Sequence, residues 1–406
     1  MDRTSLITAA RVVTATRSYA PGWVLIRGEL VLECGEGQPP AVPASVTDMG
    51  QSTIVPGFVD MHVHGGGGGT FAGTDRAAAL IARAAHLERG TTTTMASLVT
   101  QTPAQLLAAV MMNAQLCREG HVRGIHLEGP WISPQRKGAH PLELLRDPDL
   151  EEIDALIEAG DGYLKMVTMA PERAGAIAAI ERFVDAGVVV AVGHTDADYA
   201  TTERAIDAGA TVATHLFNAM RPLGHREPGP ILALARDPRV TLELIGDGVH
   251  VHPDLVDYSR CVAGRDRTVF VTDAMAAACC DDGDYVLGAL PVEVVGGVAH
   301  IAGTDTIAGS TTTMEANFRA ALRPGFAGQN GARPASRDES PGAVKCDPLQ
   351  VPDDIVIGAV RACATLPAAA MGWDEAGDLS AGKAANMAVL NAAGEVTKVI
   401  LAGRAL

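Results

Sequence analysis

Residues 55–69 read VPGFVDMHVHGGGGG, a short apolar run that carries two histidines and then dissolves into glycine. An apolar, β-branched run of this length reads as a strand. Alternate side chains of a strand leave opposite faces, so His62 and His64 leave the same face with their rings side by side. That is the geometry of two ligands on one metal ion, because neutral imidazole is a common ligand for divalent metals. The competing reading is a half-buried strand whose two histidines are solvated. The rest of the chain has to decide between them.

Outward from this run, short β-branched stretches alternate with longer Ala/Leu/Arg/Glu stretches of helical period. This is the pattern of repeated βα units around a parallel sheet. Strands read near 54–62, 91–98, 122–127, 163–169, 187–193, 210–216, 241–246 and 268–272, and helices near 75–89 and 172–186, each stopped by a glycine. Eight such units predict an α/β fold built as a (β/α)8 TIM-like barrel. The ends differ. Residues 1–54 and 372–406 hold short strand-like pieces broken by Pro and Gly, and are expected to fold together as one small β-sandwich domain with the barrel, 55–371, inserted between them. The segment 323–350 is rich in Gly, Pro, Ser and Arg and is expected to be a flexible surface insertion.

Composition narrows the function classes. The 406 residues carry 32 Lys+Arg against 48 Asp+Glu, a formal net charge of −16. Such a balance argues against a nucleic-acid partner, whose phosphates are met by clustered Lys and Arg. An anionic substrate would need a local positive site. Seven cysteines stand without CxxC pairs, and Cys279 and Cys280 are adjacent, so a disulfide framework is not expected. With no apolar run long enough to span a membrane and no cleavable leader pattern, the expectation is a cytoplasmic protein with no membrane partner.

The polar residues then fall into a positional pattern. His62 and His64 end the first strand, Glu128 follows the third, His194 the fifth, His215 ends the sixth, His250 follows the seventh and Asp273 the eighth. All lie at the C-terminal ends of strands, the face that carries the active site in barrels of this kind. Each has an ordinary reading alone: a surface glutamate, core histidines, a turn histidine, an aspartate capping the next helix. Together, His194 and His215 as plain core residues would leave four ring nitrogens to satisfy, which a shared metal does with less coincidence. The glycine run 65–69 lacks the Lys-Ser/Thr of a phosphate cradle and more simply lets the backbone pass close to the site.

Taken in order, PGFVDMHVHG, HLEGPW with KGAH, GHTDAD, THLFNAM, HREPG, DGVHVHP, VTDAM and AGS resemble the N-acetylglucosamine-6-phosphate deacetylases of the metal-dependent amidohydrolase superfamily. The resemblance implies hydrolysis of a sugar-phosphate N-acetyl group, in amino-sugar catabolism or cell-wall recycling. It implies that Glu128, His194 and His215 hold the principal divalent ion, zinc first among the candidates with iron or another divalent ion as alternatives. It allows one or two ions per subunit, the second held by His62 and His64, bridged by Glu128 and touched by Asp273. Asp273 and His140 would act in catalysis. Ala139, His140, Asn218, Ala219, His250 and Ile307 would line the sugar-phosphate site, and Arg226 would reach the phosphate across the interface of a homodimer. Rival readings are a deacetylase of N-acetylgalactosamine 6-phosphate, an amidohydrolase acting on a cyclic amide or acylated amino acid, and a metal-stabilised scaffold without turnover. A carboxylated lysine bridge would favour cyclic-amide chemistry, but Lys165 lies within the fourth strand rather than at its end.

Overall fold

The computed structural model describes all residues but 1–3, 41–44 and 324–346. Eight parallel strands run in sequence order through one sheet: β1 (Phe58–Asp60), β2 (Thr91–Leu98), β3 (Gly124–Glu128), β4 (Leu164–Met169), β5 (Val189–Val192), β6 (Ala210–Ala213), β7 (Thr241–Ile245) and β8 (Thr268–Val271). Parallel neighbours need crossovers, and helices supply them. Arg76–Glu88 follows β1, capped by Asp75, and Pro103–Arg118 follows β2, with Thr102 and Gln105 forming a capping box. The helix expected over 172–186 begins only at Ala176, because Gly175 takes a left-handed φ of 80° at the cap.

Two residue sets follow from the two-residue period of the strands. In β3, Ile125 and Leu127 join the core cluster shared with the helices, while His126 and Glu128 occupy the alternate positions. In β7, Leu242 and Leu244 join that same cluster and Glu243 and Ile245 alternate with them. The second cluster, with Val59, Met61, Met95, Met166, Val212, Ile245 and Val271, ends on Met371 and Trp373. It is the filling of the barrel, as close packing of such an interior requires.

The seam between β1 and β8 is closed just beyond the strand ends. The Asp273 N–H donates to the His62 carbonyl at 2.8 Å, the His64 N–H to the Ala274 carbonyl at 2.8 Å, and Val63 and Ala274 form a parallel bridge. Thr272 donates its hydroxyl to Asp60 Oδ2 at 2.6 Å. Burial pushes the Asp60 carboxyl up to about 7, against the hydrogen bonds of Thr272 and His62.

The chain ends pair with one another. Thr53–Pro56 lies inside a six-stranded sheet, antiparallel to Met387–Leu390 on one side and parallel to Arg11–Val13 on the other. A four-stranded sheet holds Thr4–Ala9, Gly22–Arg27, Leu30–Glu36 and Ser45–Asp48. Ile7, Val24, Ile26, Ile54, Met387 and Ile400 share one core cluster between them. After β8 stands a three-stranded antiparallel sheet, Gly283–Leu287, Leu290–Val295 and Val298–Ile301, which packs on Val99 and Ala139 near the barrel mouth. The sequence reading did not anticipate it. Of the expected insertion at 323–350, residues 324–346 lie outside the described residues, and Asp347–Gln350 is a turn. Among the described residues, no helix is long and apolar enough to cross a membrane.

Candidate active site

At the C-terminal mouth of the barrel, Glu128 is the common member of two donor groups. One comprises His62, His64, Glu128 and Asp273, the other Glu128, His194 and His215, with the ligand atoms of each group within 4.8 Å of one another. Glu128 Oε1 lies 3.0 Å from His215 Nε2 and 3.1 Å from His194 Nε2, and Oε2 lies 3.2 Å from His64 Nε2. Asp273 Oδ1 stands 3.1 Å from His64 Nε2 and 3.4 Å from His62 Nε2. His62 and His64 follow β1 rather than ending it, and His215 follows β6, where the handedness of its backbone ends the strand. His194, His215 and Asp273 have φ of 47°, 26° and 49°, a left-handed conformation that cannot continue a strand.

Ring tautomers are set from behind. His64 Nδ1 donates to the Ser97 carbonyl at 3.1 Å, His194 Nδ1 to the Arg136 carbonyl at 2.9 Å, and His62 Nδ1 to Glu243 Oε2 at 3.2 Å. The proton on each Nδ1 leaves a lone pair on Nε2. Yet Nε2 of His62 lies 3.2 Å from Nε2 of His64, and Nε2 of His194 lies 3.1 Å from Nε2 of His215. In neutral rings, the lone pairs of His62 and His64 at that range repel unless a cation, a proton or a metal ion, lies between them, and His215 Nδ1 has no hydrogen-bond partner among the described residues. The donor set of imidazole nitrogens and carboxylate oxygens fits a divalent ion in each group.

The electrostatics agree. Burial pushes the His62 and His64 imidazoles toward neutrality, but Asp273 and Glu128 overrule it for both, with Glu243 adding to the effect on His62. His64 rises to about 9, and His62 well above the ordinary imidazole value. Burial likewise raises Glu128, and the charges of His62 and His194 hold it well below the usual carboxylate range. Three buried carboxylates converge on His62 and its neighbours, so the group demands positive charge.

Residues 53–323 match the family model described as "Amidohydrolase family". The chain belongs to the amidohydrolase family. The N-acetylgalactosamine-6-phosphate deacetylase of Escherichia coli O157:H7 is 40% identical over 283 residues, covering 68% of this chain and 74% of that protein. The N-acetylglucosamine-6-phosphate deacetylase of Bacillus subtilis is 34% identical over 329 residues, covering 79% and 82% respectively. Among solved structures, a mutant of the N-acetyl-D-glucosamine-6-phosphate deacetylase from Mycobacterium smegmatis, in complex with N-acetyl-D-glucosamine-6-phosphate, superposes with a TM-score of 0.90 at 47% identity over 99% of each chain.

In this amidohydrolase the remaining expected residues are spread around the mouth. His140 is buried beside the donors, its Nε2 3.4 Å from Glu128 Oε2. Its Nδ1 accepts from the Thr100 N–H at 3.4 Å and contacts the Thr100 hydroxyl at 2.8 Å, which leaves the ring proton on Nε2. Burial lowers His140 to about 4, against the pull of Glu128, so the ring is neutral. Ala139 precedes it, buried. Asn218 donates its amide to the His215 carbonyl at 3.1 Å, and Ala219 is left-handed at φ 49°. His250 donates Nδ1–H to Asp247 Oδ2 at 2.7 Å, and Asp247 Oδ1 accepts the N–H of Val249 and His250. Burial would lower His250, but Asp247 raises it. Ile307 bridges to His300 in the loop below the three-stranded sheet, and Arg226 is exposed and makes no ion pair among the described residues. Lys165 lies near the start of β4, away from the mouth.

Sequence reading missed several groups that shape the site. Ser97, Thr100 and Asp247 gave no signal, since Ser, Thr and Asp are ordinary at strand ends and turns. Glu243 did give one: a charge at an inward position of an apolar barrel strand, TLELI. The glycines at 65–69 serve packing. A Cβ on Gly69 would stand 2.1 Å from the Ala78 carbonyl oxygen, and one on Gly65 3.0 Å from the nitrogen of Ala276, in the loop that carries Asp273.

Proposed function

We propose that this amidohydrolase hydrolyses the N-acetyl group of N-acetylglucosamine 6-phosphate, giving acetate and glucosamine 6-phosphate. The observation that carries the reading is one buried glutamate, Glu128, shared by two donor groups with Asp273 beside it at the barrel mouth. Glu128, His194 and His215 would hold the principal divalent ion, zinc in this reading, and His62, His64 and Asp273 a second. Bound there, the ion supplies Lewis acidity toward the amide carbonyl and the attacking water. Asp273 takes the proton of that water on its carboxylate and passes it to the departing nitrogen. His140 donates Nε2–H to the carbonyl oxygen as charge gathers on it. Ala139, Asn218, Ala219, His250 and Ile307 would line the sugar phosphate. The division of the chain into 55–371 as the catalytic unit and 1–54 with 372–406 as the small β unit belongs to the same reading, supported by the pairing of Thr53–Pro56 with Met387–Leu390.

Acetate release from Zn²⁺-loaded protein tests the activity, with N-acetylglucosamine 6-phosphate, N-acetylgalactosamine 6-phosphate and the unphosphorylated sugars as substrates. Release from the gluco phosphate is expected, and its absence from protein shown to carry metal rejects the proposal. Preference for the galacto phosphate would instead select the second reading, the substrate named for the Escherichia coli relative.

The proposal extends to a cytoplasmic homodimer in which Arg226 reaches the phosphate held by the neighbouring subunit. Its support is the exposure of Arg226 in an acidic protein whose substrate is anionic. Mixing inactive Arg226→Ala and Asp273→Asn chains should restore activity in the mixed dimer. Proven heterodimers without activity reject the shared site.

A further inference from the structure

We propose that Glu243 is a positioning residue for both donor groups, acting from behind them as Glu128 acts in front. The inference rests on reading those groups as a metal centre. Glu243 is fully buried at an inward position of β7. One oxygen, Oε2, does two things at once: it accepts Nδ1–H of His62 at 3.2 Å and the backbone N–H of His215 at 3.2 Å. The first contact belongs to one donor group and the second to the other. On the same residue, the Glu243 carbonyl accepts the N–H of Leu216 at 2.8 Å. Glu243 therefore clasps the left-handed His215 backbone from both its side chain and its main chain.

A buried carboxylate is expensive to retain without a cationic partner. The partners of this one are an imidazole and a backbone N–H, and neither is a fixed charge. Its position makes sense once the His62 ring is turned to present Nε2 to Glu128 and Asp273, since a ligating imidazole is oriented by the acceptor on its other nitrogen. A carboxylate holds Nδ1–H more tightly than the carbonyls that hold His64 and His194. Glu243 thus sets the tautomer and direction of His62 and fixes where His215 begins.

A carboxylate that serves only the fold would stabilise the metal-free protein and leave ion affinity untouched. A positioning carboxylate does the reverse. The test compares wild type, Glu243→Gln and Glu243→Leu, each stripped by chelator and then titrated with Zn²⁺ alone under chelator competition, with ion content counted and the metal-free thermal unfolding recorded. Co²⁺ loading adds the visible absorption of the bound ion as a second readout. The expected result is a loss of roughly 10–100-fold in affinity for each ion in Glu243→Gln, and a larger loss in Glu243→Leu. The Co²⁺ absorption should change in both, with the metal-free unfolding temperature unchanged or raised. Variants that bind both ions as tightly as wild type, while unfolding at lower temperature when metal-free, overturn the role. Wild-type protein that takes up no Zn²⁺ overturns the metal reading beneath it, a different failure.

Discussion

The two donor groups that share Glu128 are built on unlike parts of the barrel. His194 and His215 follow β5 and β6, which pair side by side in a parallel ladder with one register shift between Val190 and Ala191. His62, His64 and Asp273 sit on either side of the seam between β1 and β8, where a few hydrogen bonds just past the strand ends do the joining. The charge differs as well. The seam group faces Glu128, Asp273 and Glu243, while the ring nitrogens of the ladder group face Glu128 alone. A lightly charged group on hydrogen-bonded neighbouring strands beside a jointed, strongly anionic one should hold its cation differently. The ladder group suits a permanent ion; the seam group suits one whose occupancy answers to pH and to the state of the seam.

The strongest test falls on the residue at the edge of the seam group. Asp273→Asn keeps the shape of the side chain but loses its basic oxygen, so turnover should drop by about 10²–10⁴-fold while the ladder ion stays bound. A variant with a tenth of wild-type turnover would remove Asp273 from the proton path. Next in size is the contrast between ligands: His215→Ala should lose the ladder ion and all activity, whereas His62→Ala should lose one ion at most. Retention of the ladder ion in His215→Ala, or its loss in His62→Ala, would erase the distinction drawn here.

A pH titration sharpens it. His64 is raised to about 9, so protons compete for the seam group throughout the range below that value. Zn²⁺ affinity of one equivalent should fall by up to about tenfold per pH unit on going from pH 9 to 6. Chelator competition at each pH would read this, and identical slopes for both equivalents would contradict it. The smallest effect belongs to the seam itself. Thr272→Val removes the hydroxyl that Asp60 accepts, costing about 1.5–3 kcal/mol for a buried bond to a carboxylate. The unfolding temperature should drop by several degrees and the seam ion should loosen, with the ladder ion unaffected.

Much of this was legible in the sequence because barrels translate strand order into place. Eight apolar runs gave the ladder, and a polar residue at the end of a run lay at the mouth by construction. His62, His64, Glu128, His194, His215 and Asp273 converge as that logic requires. What stayed hidden depended on direction rather than position. Nothing in VTD or THL announces a left-handed Asp273 or His215, since non-glycine residues reach that conformation only where the surroundings enforce it. The three-stranded sheet at 283–301 was readable in principle: DYVLGALPVEVVGGVAHI alternates around two glycine-bearing turns. Its antiparallel hairpins break the βα rhythm, so the barrel pattern does not announce it. Glu243 is hidden for a different reason: it stands within a strand, whereas position at the mouth is legible only for residues at strand ends.

The pairing of Thr53–Pro56 with Met387–Leu390 has a bearing on biosynthesis. The strand that leads straight into His62 and His64 takes its antiparallel neighbour from residues translated long after it. As the chain emerges from the ribosome, the ladder group has its strands early, but the seam group must wait on β8 and on residues 387–390. Contacts so distant along the chain form slowly and late. A nascent chain arrested before residue 387 should therefore carry its barrel strands while its first two histidines are not yet anchored, and metal loading of the seam waits on the synthesis of that distant strand.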